Sequence, residues 1–162
     1  MKAIVIGASL SGKTTLISHL RKNFKLPFSE IDEELTRVNN GKYPEDSEYK
    51  VEVLAPGIVS DILHREDIVF FTNTDYFRQE DLKRAKQKGF KIIVLNIDLA
   101  GLKVRNIKRI ENEGYGDQSQ WLEGMLEYLK TIKAKGLVDK EINANKPVGV
   151  IGEELMKYFN QI

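Results

Sequence analysis

The chain contains no cysteine, which excludes a disulfide framework and thiol chemistry. No apolar run approaches the roughly 20 residues that a membrane-spanning helix requires. An excess of one charge is also lacking: 25 Lys and Arg stand against 24 Asp and Glu, for a formal net charge of +1. No global field therefore favours a nucleic-acid polymer or an anionic membrane surface. His19 and His64 have no companion His or Cys at metal-ligand spacing and read as structural. Met1-Lys2 leads directly into an apolar stretch, leaving no room for a signal peptide, so a soluble, cytoplasmic protein is expected. Repeats, low-complexity tracts and linkers are absent as well. The 162 residues fit one domain able to bury roughly 70 % of its unfolded surface, enough for a sheet covered on both faces.

What the chain does have begins at its third residue. Ala3 to Ile6 form a short apolar run suited to a buried strand, Gly7 ends it, and Leu16, Ile17, Leu20 and Phe24 recur at helical spacing. Between them lies Gly7-Ala8-Ser9-Leu10-Ser11-Gly12-Lys13-Thr14, followed by Thr15. This is G-x-x-x-x-G-K-[ST] between a strand and a helix, the context in which that spacing forms a phosphate cradle. Gly7 and Gly12 permit backbone angles that turn successive amides inward. Lys13 supplies charge for the outer phosphates, the Thr14 hydroxyl is placed for Mg²⁺, and the helix start adds unpaired N–H donors. ATP with Mg²⁺ is the expected pair.

Four further strands are expected at Phe28 to Ile31, Ile68 to Thr72, Lys91 to Ile97 and Lys140 to Ala144. Helical patterns separate them at Asp32 to Val38, Asp46 to Leu54, Ile58 to His64, Gln79 to Lys88, Leu99 to Ile110, from Trp121 to Gly136, and from Val150 to Phe159. Pro56-Gly57 is expected to interrupt the second and third of these. Alternating strands and helices predict a three-layer α/β fold with a mostly parallel, about five-stranded sheet, and ligands then gather at the carboxyl ends of the strands.

Three places past strand ends carry candidate chemistry. Glu30 and Asp32 lie on one side of an extended segment, where a carboxylate can take a proton from an acceptor hydroxyl or hold a metal-bound water. Ordinary helix capping by Asp32 is the competing role. Asp75, three residues past Thr72, is a candidate Mg²⁺ carboxylate or part of an Asx turn, and Asn73 a candidate acceptor contact. Arg105 and Arg109, four apart on one helix face before a Gly-containing loop, suit a lid that closes on transferring phosphates. A solvated basic face paired with Glu111 and Glu113 is the alternative. Lys83, Arg84, Lys86 and Lys88 read as solvated surface.

Taken in order, these residues resemble the small P-loop kinases, the group of shikimate kinase, gluconate kinase and the nucleoside monophosphate kinases. The resemblance implies one P-loop NTPase domain over 1–162, with a helical acceptor-binding insertion at about 32–64 and a lid at about 105–119. It implies transfer of the ATP γ-phosphoryl group to a small-molecule acceptor, nucleoside, nucleotide or hydroxylated metabolite, by a monomer or homodimer. Glu30-Ile31-Asp32 matches the D-x-D of shikimate-kinase-like enzymes, implying Asp32 near the acceptor and Glu30 near Mg²⁺. Asn145 and Pro147 fall where such kinases place adenine-contacting backbone. The chain departs from the group's substrate motifs at Thr72-Asn73-Thr74 and at Tyr49-Lys50-Val51-Glu52, which lacks an arginine. Two other readings are a GTPase-like switch, from Ala55-Pro56-Gly57 and Asn96-Ile97-Asp98, and a nucleotide-binding module with weak hydrolysis.

Overall fold

A computed structural model describes residues 1–162. Five strands, β1 (Lys2–Gly7), β2 (Phe28–Glu30), β3 (Ile68–Thr72), β4 (Lys91–Asn96) and β5 (Lys140–Asn143), form one sheet in the order β2-β3-β1-β4-β5. Every pairing is parallel. Alternate side chains enter two separate cores, as the two-residue strand period requires. Ala3 and Val5 face α1 (Lys13–Asn23) and α7 (Val148–Phe159), where Leu16, Leu20, Leu155 and Phe159 are buried. Ile4 and Ile6 face α3 (Ala55–His64) and α4 (Gln79–Gln87), through Ile58, Ile62 and Leu82. Helix α2 (Ile31–Val38) adds Ile31 and Leu35 to that second core. Two further helices, α5 (Leu99–Glu113) and α6 (Ser119–Ala134), complete the three layers. The α/β reading and the five parallel strands are as expected from the sequence.

Three details differ from the sequence expectation. Strand β2 ends at Glu30 and α2 begins at Ile31, so Asp32 stands in the first helical turn and not on an extended segment beside Glu30, and the N-cap position belongs to Glu30. Pro56 does not interrupt the helical path: a π-helical turn, Tyr49–Leu54, runs directly into α3, and Pro56 occupies the first turn of that helix. Proline lacks an N–H and its ring crowds the carbonyl four residues earlier, so the wider i→i+5 turn before it relieves both conflicts. Helix α5 extends three residues past Ile110 to Glu113, so Arg105 and Arg109 stand on ordered helix. Only the segment between Glu113 and Ser119 is loop.

The chain leaves β1, visits β2 and β3 on one side, then passes β1 to reach β4 and β5 on the other. Strand order therefore reverses around β1, and the crevice at that reversal opens above the carboxyl ends of β1 and β3. His19 and His64 hold the structure locally. His19 packs against Gly152 of α7, and His64 Nδ1 lies 2.6 Å from the Ser60 carbonyl oxygen.

Candidate active site

The phosphate loop is closed on itself. Lys13 Nζ donates to the carbonyl oxygens of Gly7 and Ala8 at 2.9 and 2.8 Å. Ser11 is buried, and a Cβ on Gly7 would stand 2.4 Å from its Oγ, so only glycine fits there. Gly12 initiates α1 at φ +86°, a left-handed backbone that side chains disfavour. The loop thus needs both of its glycines for steric reasons present in the fold itself.

A cleft of about 920 Å³ opens beside this loop. Ser9, Leu10, Gly12, Lys13, Thr14 and Thr15 of the phosphate loop line it, together with Glu30, Asp32, Asn73 and Asp75. These carboxylates act on the lysine. Desolvation lowers Lys13 from 10.5 to about 8, while Asp32, then Glu30, then Asp75 pull the other way. Burial raises the Glu30 carboxyl, with Glu33 and Asp32 adding repulsion. Burial also raises Asp75, against the attraction of Lys50 and Lys13. The Asp75 amide donates to Asn73 Oδ1 at 2.9 Å, so the Asx turn and the cleft-facing position coexist.

The two arginines of α5 do different things. Arg105 Nη1 donates to the Leu10 carbonyl at 3.0 Å and Nη2 to the Ala144 carbonyl at 2.6 Å. It fastens the phosphate loop to the loop after β5. Arg109 lies 4.0 Å from the centre of the Tyr115 ring and 3.7 Å from Glu113, and faces the cleft. Asn106, buried, donates to Asp117 Oδ1 at 2.7 Å and accepts from the Gln118 amide at 3.0 Å, anchoring the end of the loop between α5 and α6. Asn145 and Pro147 lie outside the cleft lining. The Asn145 amide donates to Asn143 Oδ1, and Pro147 caps α7.

Sequence reasoning missed Tyr43, Ser47, Lys50 and Tyr76, which complete the cleft beyond the carboxylates. Lys50 Nζ donates to the Tyr43 hydroxyl at 3.1 Å and lies 5.0 Å from the centre of its ring. No local motif marks these residues. Only Tyr76, just past a strand end, carried a positional signal.

No cluster of three or more His, Asp or Glu side chains forms a metal cage. The donor set of Thr14 hydroxyl, Glu30 and Asp75 nevertheless suits Mg²⁺, which keeps its waters and relies on one or two carboxylates plus substrate phosphates. The residues that suggested a GTPase-like switch are committed elsewhere. Asp98 caps α5 by accepting from the Gly101 amide at 2.7 Å, and Asn96 donates to Glu141. Pro56 and Gly57 are helical.

Strand order and phosphate loop together give the fold that small P-loop kinases share. Shikimate kinase from Aquifex aeolicus vf5 superposes with a TM-score of 0.68 at 21 % identity, covering 99 % of this chain and 97 % of that one. Shikimate kinase from Acinetobacter baumannii, in complex with shikimate, gives 0.71 at 16 %, over 99 % and 93 %. A gluconokinase from Sinorhizobium meliloti 1021 gives 0.61 at 16 %, over 94 % and 87 %. No family model matches the chain, and no curated protein matches it. No helix is long and apolar enough to cross a membrane.

Proposed function

We propose that the protein is a phosphotransferase that moves the γ-phosphoryl group of ATP to a hydroxyl of a small molecule, with Mg²⁺. The observation that carries this reading is the gathering of Lys13 with Glu30, Asp32 and Asp75 in the lining of one cleft, where the three carboxylates act on the lysine. A volume of about 920 Å³ sits at the upper end of ordinary ligand pockets, which favours a nucleotide together with a small acceptor. The fold shared with shikimate kinases and a gluconokinase supports the same class.

In this mechanism the acceptor oxygen attacks the γ-phosphorus and forms the new P–O bond. The bond to the β,γ-bridging oxygen breaks, and ADP departs with its electron pair. Asp32, exposed at the start of α2 and within 3.4 Å of the Tyr43 hydroxyl, accepts the acceptor's proton and passes it to solvent. Lys13 exchanges its two carbonyl partners for phosphate oxygens. Arg109 adds positive charge from the lid side, and Arg105 holds the phosphate loop against the loop carrying Asn145 and Pro147, the proposed adenine neighbours. Thr14, with Glu30 and Asp75, would hold Mg²⁺, which supplies neutralisation of phosphate charge when bound. A monomer or homodimer working in the cytoplasm fits this reading.

The test is transfer of γ-labelled phosphate to pooled nucleosides, nucleotides, sugar acids and cyclic polyols, with Lys13→Ala as control. Lys13-dependent label in one acceptor is expected, and Asp32→Asn should lower kcat about 10²- to 10⁴-fold with nucleotide affinity unchanged. Label appearing only as free phosphate would sink the transferase reading in favour of a hydrolytic module. Full transfer by Asp32→Asn would remove Asp32 from the base role.

A further inference from the structure

Tyr76 keeps its ring in the core and its hydroxyl at the cleft. The residue is 6 % exposed and belongs to the core that holds Ile31, Ala55 and Phe77. No hydrogen bond of ordinary geometry holds its phenol oxygen, and no polar side-chain atom of the protein is both sealed from solvent and unpartnered. The oxygen therefore opens on the cleft that Tyr76 lines. Asn73 is the nearby amide, but its Oδ1 already accepts from the Asp75 backbone at 2.9 Å.

The neighbouring tyrosine hydroxyls are used within the fold. Tyr43 accepts from Lys50 at 3.1 Å and lies 3.4 Å from Asp32 Oδ1. Tyr128 donates to the Phe77 carbonyl at 2.5 Å. That bond, the packing of Phe77 on Phe70 with ring centres 6.0 Å apart, and the Asn73–Asp75 bond fix the backbone on both sides of Tyr76. A phenylalanine would fill the same core space, so packing does not account for the hydroxyl. A largely buried polar group calls for a partner, because leaving it unbonded is costly, and here the partner must come from the cleft. Burial raises the phenol above its ordinary range, and Tyr43, Asp75 and Asp32 push the same way, which sets the hydroxyl in the neighbourhood of the proposed base. A phenol offers one donor and also accepts, the complement of an alcohol.

Resting on the phosphotransferase reading, we infer that Tyr76 is a specificity-determining residue whose hydroxyl bonds a second hydroxyl of the acceptor, one that is not phosphorylated. Asp32 receives the reacting hydroxyl and Tyr76 the other, so the acceptor is a polyhydroxylated molecule, a sugar, a cyclic polyol or a ribose, and not a simple alcohol. A site built to hydrogen-bond a substrate hydroxyl rejects the analogue that lacks it, because the protein group is then left unpaired.

The probes are the acceptor that takes Lys13-dependent label from the pools above and its deoxy analogues, each lacking one non-reacting hydroxyl. With wild-type protein and Mg²⁺-ATP, loss of one particular hydroxyl is expected to lower kcat/KM about tenfold or more. Tyr76→Phe, which retains the ring, should lower kcat/KM for the parent acceptor by a similar factor and should treat the parent and that deoxy analogue alike, with affinity for Mg²⁺-ATP unchanged. Wild-type protein indifferent to every such deletion overturns the inference, and so does a Tyr76→Phe variant that still discriminates as the wild type does. Weakened Mg²⁺-ATP binding by the variant also overturns it, because the hydroxyl would then serve the nucleotide or its metal. Each of these results leaves the phosphotransferase reading intact, since label still reaches an acceptor. Absence of label in every pool, with Lys13-dependent ATP binding retained, overturns that reading and this inference with it.

Discussion

Arg105 donates to the Ala144 carbonyl at 2.6 Å while the other arm of the same guanidinium holds Leu10. One side chain therefore sets the distance between the phosphate loop and the loop that follows β5. A lysine reaches one of those oxygens but not both, because an ammonium is a point donor where a guanidinium is a fork. Arg105→Lys is expected to weaken nucleotide binding about tenfold, the loss of one charged hydrogen bond, with kcat at saturating ATP changed less. Titration calorimetry with a non-hydrolysable ATP analogue measures the first effect and steady-state kinetics the second.

The lowered value of Lys13 leads to a proton-linkage prediction. Free protein holds this lysine near 8, against an ordinary 10.5, because burial disfavours its charge. Between those values the unfolded chain binds more protons than the folded one, so this group's destabilising contribution is full below about pH 8 and is relieved as pH rises toward 10.5. Phosphate at the loop restores the charge and draws in a proton. At about pH 8.5, nucleotide binding should therefore show an enthalpy that varies with the buffer's ionisation enthalpy. At about pH 6.5, and in Lys13→Met at either pH, that component should vanish.

Glu30 has the opposite linkage. Burial and the neighbouring carboxylates raise it above its ordinary 4.5. The folded state then holds its proton more tightly than the unfolded state, so stability from this group is greatest in acid and declines as pH rises through the interval above 4.5. Glu30→Gln should raise the Tm at neutral pH, with the gain shrinking as the pH is taken down toward 4.5. Phosphotransfer should fall in the same variant, as expected when a functional site carries electrostatic strain. Thermal melts across pH decide the first point, and an unchanged or lowered neutral Tm would contradict it.

Glu34 is a structural carboxylate with a different consequence. Its side chain is 7 % exposed and receives Arg37 and Arg65 together, while Ser29 donates to it at 3.2 Å. It ties α2 to the end of α3 through Arg65. Glu34→Ala should lower stability by about 1–3 kcal/mol, because a buried acceptor is lost and both guanidinium groups are left with Asp61 alone. Urea denaturation reads this directly.

Much of this architecture was legible because its signals are contiguous. Gly7 to Thr14 carries its chemistry in one stretch, and the runs at Ile68 to Thr72 and Lys91 to Asn96 announce buried parallel strands by composition alone. The rest of the cleft lining was not legible in the same way. Tyr43, Lys50 and Tyr76 come from a loop, a π turn and a strand end, and only the crossover from β2 to β3 brings them to one surface. The role of Arg105 was hidden for a related reason. Its partners are backbone carbonyls, which leave no residue signature, so its spacing from Arg109 indicated a shared face and not a shared task. Pro56 misled because the rule that proline breaks helices holds for regular α-helix, and a wider turn stands in front of it here.

That wider turn sets the rotational phase of everything before it. One extra residue per turn offsets the preceding side chains by about 100° relative to an uninterrupted helix. Shortening Tyr49–Leu54 by a single residue would swing Lys50 and Val51 around the helix axis, off the cleft they now line. The lining of the cleft thus depends on a count of residues as well as on their identities, and a one-residue insertion or deletion would remake it without substituting any side chain within it.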